Sequence, residues 1–301
     1  MAPGGYAWWY LDAFSDDGRF GLTLIAFVGS VFSPYYAWSG WRDPADHCAV
    51  NVALYRLDGG GGRWAMTERG RGQVHRDATA LSVGPSALSW EGDTLVARID
   101  EIAAPIPSRL RGVIRLTPQI ATDELIALDS ARRHLWRPFA PRARVSVDFT
   151  DPDLHWVGDG YHDGNAGDEP LERGFAQWSW ARAHLSRDVA LYYDAERRDG
   201  TRHGLALRVS HAGDVSSFAP PPLVDLPRTG WGVERRTWRD GEATPRVRKT
   251  LEDTPFYART ALSGSCDGET AVIMHESLSL DRLRSPIVRA MLPFRMPRIV
   301  W

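Results

Sequence analysis

Ala49-Val-Asn-Val-Ala-Leu-Tyr55 alternates small or polar residues with larger apolar ones and then runs into Asp58-Gly-Gly-Gly-Gly62. A period of two is the pattern of a strand with one buried face, and an Asp-Gly run beside it is a turn. Upstream, Leu22-Thr-Leu-Ile-Ala-Phe-Val28 is apolar enough to be a strand buried on both faces. Downstream, residues 87–90 and 94–99 flank Glu91-Gly-Asp93, a hairpin with Gly-Asp in the turn. Residues 111–116 and 142–149 add strands, and the second half continues the style. Phe175-Ala-Gln-Trp-Ser-Trp-Ala181 alternates, residues 189–194 and 205–210 lie either side of Arg198-Asp-Gly200, and residues 271–280 alternate again. Helical periodicity is nearly absent before the tail. The expectation is a mostly β protein of antiparallel sandwich or barrel type with few short helices.

A chain of 301 residues holds one large β domain or two ordinary ones, and length alone does not decide. The Asp- and Gly-rich residues 149–170 read as a domain boundary or a pocket-lining loop, and Ala219-Pro-Pro-Pro-Leu223 as a stiff turn. Hydrophobic residues at 43% and charged residues at 25% are ordinary for a globular protein. Thirteen tryptophans are not, and such side chains line cores, pockets and interfaces. A net charge of −2, with no basic stripe, argues against a nucleic-acid partner. Cys48 and Cys266 suggest no disulfide framework. The first residues carry no basic segment followed by an apolar core, and the longest apolar stretch, residues 22–32, is too short to span a bilayer. The expected location is cytoplasmic. The run 281–301 carries Arg282, Arg284, Arg289, Arg295 and Arg298 among apolar residues. It reads as an edge element packed on the barrel with its arginines in water, or as a basic amphipathic segment in peripheral contact with a membrane. The first reading is preferred.

The common catalytic signatures are missing: there is no G-x-S-x-G, P-loop, H-E-x-x-H or Cys-x-x-Cys motif. Asp159, His162 and Asp163 lack the spacing of a metal site, and no metal is expected. Two pairs stand out. His134 and Trp136 are two apart, as are Tyr161 and Asp163. On extended chain each pair shares a face, so an imidazole, an indole, a phenol and a carboxyl can converge from two segments. The plainer readings are a core or surface histidine and a turn carboxylate followed by Gly164 and Asn165.

Several stretches resemble the bacterial carotenoid 1,2-hydratases, also called hydroxyneurosporene synthases. They are Gly5-Tyr-Ala-Trp-Trp-Tyr-Leu-Asp12, Ile25-Ala-Phe-Val-Gly-Ser-Val-Phe-Ser-Pro-Tyr-Tyr-Ala-Trp38, His47-Cys-Ala-Val-Asn-Val-Ala-Leu-Tyr55, Arg63-Trp-Ala-Met-Thr-Glu-Arg69 and Gly84-Pro-Ser-Ala-Leu88. Leu251-Glu-Asp-Thr-Pro-Phe-Tyr-Ala-Arg259, His275-Glu-Ser-Leu278 and Leu292-Pro-Phe-Arg-Met-Pro-Arg298 follow. The resemblance implies two lipocalin-like β domains, set here at residues 1–155 and 156–301. It also implies a catalytic set of a His-x-Trp and a Tyr-x-Asp pair, which falls on His134, Trp136, Tyr161 and Asp163.

The implied reaction adds water across the terminal C1=C2 double bond of an acyclic carotenoid such as neurosporene or lycopene. No cofactor is needed, because protonation of C2 and capture of the tertiary carbocation by water involve no redox step. Asp163 is expected to deliver the proton, since burial in an apolar pocket keeps a carboxyl neutral. Tyr161 holds it, Trp136 faces the cation and His134 accepts a proton from water, with acid and base exchangeable. The alternatives are a terpenoid or polyketide cyclase on the same fold and a non-catalytic carotenoid carrier.

Overall fold

The computed structural model describes residues 1–299. They form mostly strands and divide into two compact units. Unit 1 comprises Met1–Ala127, Arg132–Pro170 and the tail from Ala290; unit 2 comprises Leu128–Ala131 and Leu171–Arg289.

Unit 1 is built on one long antiparallel sheet. In sheet order the strands are Arg63–Arg69, Cys48–Arg56, Phe20–Val28, Tyr6–Ser15, Asp153–Gly167, His134–Asp151, Arg109–Ile120, Thr94–Ile102, Ser86–Glu91, Ala80–Val83 and Val74–Arg76. The expected hairpin is present, with Glu91 opposite Thr94 across Gly92-Asp93. Nearly every joint is between strands close in sequence. Among these strands the exception is Tyr6–Ser15 against Asp153–Gly167, which sets the first strand of the unit beside its last long one. The sheet curls, so that Arg63–Arg69 also meets Thr94–Ile102 and Arg109–Ile120. Inside the curl lies an apolar core that includes Leu11, Leu24, Val50, Val52, Ile114 and Phe149.

The Asp- and Gly-rich segment expected to be a loop or boundary is a strand of 15 residues, Asp153–Gly167. Its glycines mark close approach. A Cβ on Gly158 would stand 1.9 Å from the Phe14 carbonyl oxygen, and one on Gly160 2.4 Å from Val145 Cγ2. Because this strand pairs with both neighbours in unit 1, the division falls after Pro170 and not at residue 155. The tail belongs partly to unit 1 for the same reason: Arg298–Ile299 pairs in parallel with Glu68 and Arg69. Its last two residues lie outside the described ones.

Unit 2 has a seven-stranded antiparallel sheet in the order Val215–Ser217, Arg202–Val209, Val189–Arg197, Phe175–His184, Glu269–Ser279, Tyr257–Cys266, Arg246–Asp253, with a small hairpin of Leu223–Leu226 and Arg235–Trp238. Its core holds Tyr192, Trp238, Leu262 and Ile273. Cys48 and Cys266 are both buried and free.

The tail arginines turn back onto the protein. Arg289 pairs with Glu172, Arg298 with Glu68 and Asp46, Arg295 lies 4.4 Å from the Trp64 ring centre, and Arg282 donates to the carbonyls of Gly232 and Trp231. Arg284 is exposed. Among the described residues no helix is long and apolar enough to cross a membrane.

Candidate active site

Alternation along three neighbouring strands of unit 1 builds one polar and aromatic face. On Tyr6–Ser15 the residues are Tyr6, Trp8, Tyr10 and Asp12; opposite them on Asp153–Gly167 stand Gly167, Asn165, Asp163 and Tyr161. On His134–Asp151 His134 faces Gly167 and Trp136 faces Asn165. This is the side away from the apolar core, which takes the alternate residues Leu11 and Ala13. Both pairs picked out by spacing therefore lie on extended chain and share a face. Trp136 and Tyr161 are fully buried, and His134 and Asp163 nearly so.

Three of the four expected residues meet at one atom. Trp136 Nε1–H donates to Asp163 Oδ2 at 2.8 Å, and the Tyr161 hydroxyl donates to the same oxygen at 2.7 Å. Trp136 reaches Asp163 diagonally, since its own partner across the strands is Asn165. Burial, with the Asp163 charge beside it, pushes the Tyr161 phenol well above its ordinary value, so it stays protonated and keeps its donor. An oxygen that already accepts two hydrogen bonds is the poorer place for a proton. A neutral Asp163 would therefore carry its hydrogen on Oδ1, while the two donors at Oδ2 favour its ionised form.

His134 does not join this group. Its Nε2 lies 3.2 Å from Glu169 Oε1 and its Nδ1 2.8 Å from the Tyr6 hydroxyl. A carboxylate only accepts, so in the neutral ring Nε2 carries the hydrogen and Nδ1 accepts from Tyr6. Glu169 is held in turn by Arg133 at 3.0 Å. Both imidazole nitrogens are thus engaged. The partner of His134 is Gly167, four residues from Asp163 and so about 13 Å along the strand.

The paper combination of Asp159, His162 and Asp163 is dispersed by the same alternation. Asp159 is exposed and pairs with Arg144. His162 points to the other side of the sheet, where its Nδ1–H donates to the Tyr10 carbonyl at 2.8 Å and Phe139 stacks on its ring. Burial pushes its pKa down to about 4. Among the described residues no cluster of three His, Cys, Asp or Glu is placed to hold a metal.

Sequence spacing did not reveal Tyr6, Glu169, Tyr10 or Asp12, because they come from a strand far away in the chain or from beyond a strand end. The only available signal was the alternation of Tyr6, Trp8, Tyr10 and Asp12 within the opening motif.

A family model described as carotenoid hydratase CrtC matches residues 24–301. The chain belongs to the carotenoid hydratase family. It is 52% identical over 303 residues to the acyclic carotenoid 1,2-hydratase of Thiocapsa roseopersicina, covering 99% of this chain and 74% of that one. The acyclic carotenoid 1,2-hydratase of Rubrivivax gelatinosus is 46% identical over 305 residues, with the same coverage. Among solved structures, kievitone hydratase from Nectria haematococca superposes with a TM-score of 0.55 at 10% identity, covering 94% of this chain and 90% of that one. At that identity the likeness speaks for the shared fold of this family, a mostly β, lipocalin-like architecture.

Proposed function

We propose that this protein adds water across the terminal C1=C2 bond of an acyclic carotenoid to give a 1-hydroxy carotenoid, with Asp163, Tyr161 and Trp136 as its catalytic set and His134 as the residue that positions them. The observation that carries the reading is the buried Asp163 carboxyl, held at one oxygen by Trp136 and Tyr161 on an aromatic face. The substrate class comes from the names of the relatives. Asp163 Oδ1 gives its proton to C2, the electron pair of the double bond forms the new C–H bond, and C1 becomes a tertiary cation. The Trp136 indole faces that cation, a contact worth about 2 kcal/mol once water is excluded. Water then forms the O–C1 bond with its lone pair, one of its O–H bonds breaks, and that proton passes to a basic side chain of the site. His134 closes the row, its ring fixed by Tyr6 and Glu169, and positions the segment that carries Trp136.

The test is incubation of purified protein with neurosporene or lycopene in detergent, without added cofactor, in oxygen-18 water. A 1-hydroxy product carrying the label is expected, and Asp163→Asn is expected to abolish it with the fold intact. An unlabelled cyclised product would indicate a cyclase, and tight binding without turnover a carrier.

For a substrate dissolved in lipid, the same reading includes peripheral contact with a membrane. Trp38 and Phe294 are large apolar side chains at 55% and 71% exposure. The Tyr35 hydroxyl donates to the Met296 carbonyl at 3.3 Å, which ties the short helix Pro34–Trp38 to the tail. These residues are the proposed contact.

A further inference from the structure

The reaction needs a group to take the proton released by the attacking water, and His134 is poorly placed for it. Both its nitrogens are engaged, and it lies about 13 Å along the strand from Asp163. C1 and C2 are adjacent atoms, so the groups serving them belong within one side chain's reach of each other.

One buried carboxyl meets that requirement. Asp12 stands directly opposite Tyr161, and Tyr10 opposite Asp163. Asp12 and Asp163 are therefore diagonal neighbours on one face of adjacent strands, about 7–8 Å apart at the backbone. Asp12 is wholly buried, and its negative charge acts on the Tyr161 phenol. The strand on its other side sets Thr23 opposite it. Thr23 is also wholly buried, and its Oγ1 has no hydrogen-bond partner among the described residues. A buried hydroxyl in that state calls for a polar partner, and a water molecule is the commonest one.

Resting on the hydratase reading above, we propose that Asp12 is the base of the reaction and that the nucleophilic water is held between its carboxylate and the Thr23 hydroxyl. The water oxygen forms the bond to C1 with its lone pair, one of its O–H bonds breaks, and that proton passes to Asp12. At this point Asp12 is neutral and Asp163 ionised. Return of the proton from Asp12 to Asp163 resets the site, so the cycle consumes one water and no net acid or base. Tyr161, in register with one carboxyl and bonded to the other, lies on the path of that return.

The test separates protonation from water capture. In D2O, reversible protonation at C2 leaves deuterium there when the cation collapses back to the alkene. Asp12→Asn is expected to slow hydroxylation at least about a hundredfold while the recovered substrate still gains deuterium at C2. Asp12→Glu, which keeps a carboxylate, restores part of the rate. Thr23→Val, which removes only the hydroxyl, lowers the ratio of hydration to exchange with KM unchanged. Full hydration by Asp12→Asn overturns the base assignment, as does loss of exchange together with hydration in a folded Asp12→Asn protein. An unchanged hydration-to-exchange ratio in Thr23→Val overturns the water position. The failure of the underlying reading looks different: hydration or exchange would then survive Asp163→Asn.

Discussion

Tyr161 and Asp163 stand two residues apart on one strand, and the phenol of the first donates to Oδ2 of the second at 2.7 Å. Each depends on the other. Burial and, after it, the carboxylate charge keep the phenol protonated, and the protonated phenol steadies an ionised Asp163.

Tyr161→Phe is therefore expected to leave substrate binding nearly intact and to lower kcat. A hydrogen bond to a charged group is worth about 1.5–3 kcal/mol, or a factor of roughly ten to a hundred in rate. Steady-state kinetics with lycopene checks the split. A rise in KM at unchanged kcat would assign Tyr161 to the pocket wall instead.

Trp136 has two proposed duties, and two substitutions part them. Trp136→Phe loses the indole N–H donor to Asp163 but keeps an aromatic face; Trp136→Leu loses both. Leu is expected to be slower than Phe by about thirtyfold, the rate equivalent of roughly 2 kcal/mol of cation–π attraction. Equal rates would leave the indole with only its hydrogen bond.

The strand-rich fold was legible because period-two alternation and Gly-containing turns report local physics, as at Gly92-Asp93. The segment that carries Tyr161 and Asp163 was not. Its glycines resemble loop punctuation, yet at Gly158 and Gly160 they are required by neighbouring strands that leave no room for a Cβ. Pro138 and Pro141 hid the neighbouring strand in a similar way. They fall at register shifts, where a proline is tolerated, so the strand begins at His134 and not at 142. Within the site, the two i, i+2 pairs could be read from spacing alone. Tyr6, Glu169 and Asp12 could not, since contacts across 128 or 35 positions leave no local trace.

The proposed membrane contact predicts that the wild-type protein sediments with vesicles containing anionic lipid. Trp38→Ser combined with Phe294→Ser is expected to weaken that association severalfold, with turnover of detergent-dispersed lycopene unchanged. Unaltered sedimentation of the double variant would remove these two side chains from the contact. Added salt is expected to have a modest effect, because Arg289 and Arg298 are occupied by Glu172 and by Glu68 and Asp46.

Acid stability follows from two buried histidines. Burial pushes His162 and His275 down to about 4 from the usual 6.5. Between those values the unfolded chain binds protons that the folded protein refuses, so stability rises with pH across this window and levels off above it. For each ring the gap amounts to roughly 3 kcal/mol at the acid end. Denaturant titrations at pH 7.5, 5.5 and 4.5 are expected to show a falling free energy of unfolding, and His162→Gln a shallower fall. An identical slope in the variant would mean that His162 is protonated without unfolding.

Inside unit 1, Arg69 and Glu101 form a pair in which both side chains are out of solvent. Arg69 Nη2 meets Glu101 Oε2 at 2.9 Å and Nη1 meets Oε1 at 3.1 Å, while the Ser86 hydroxyl donates to Oε1 at 2.7 Å. The pair bridges two strands that are not neighbours in the sheet, Arg63–Arg69 and Thr94–Ile102, and so acts on the curl itself. Glu101→Gln would strand the guanidinium in an apolar interior, at a cost of about 3–5 kcal/mol. Exchanging both partners for apolar residues of similar volume, Arg69→Met with Glu101→Leu, removes the stranded charge and is expected to recover most of that loss. The check is chemical denaturation of the single and double variants. A double variant no more stable than Glu101→Gln would show that the ion pair, and not merely the filling of its space, holds the curl closed.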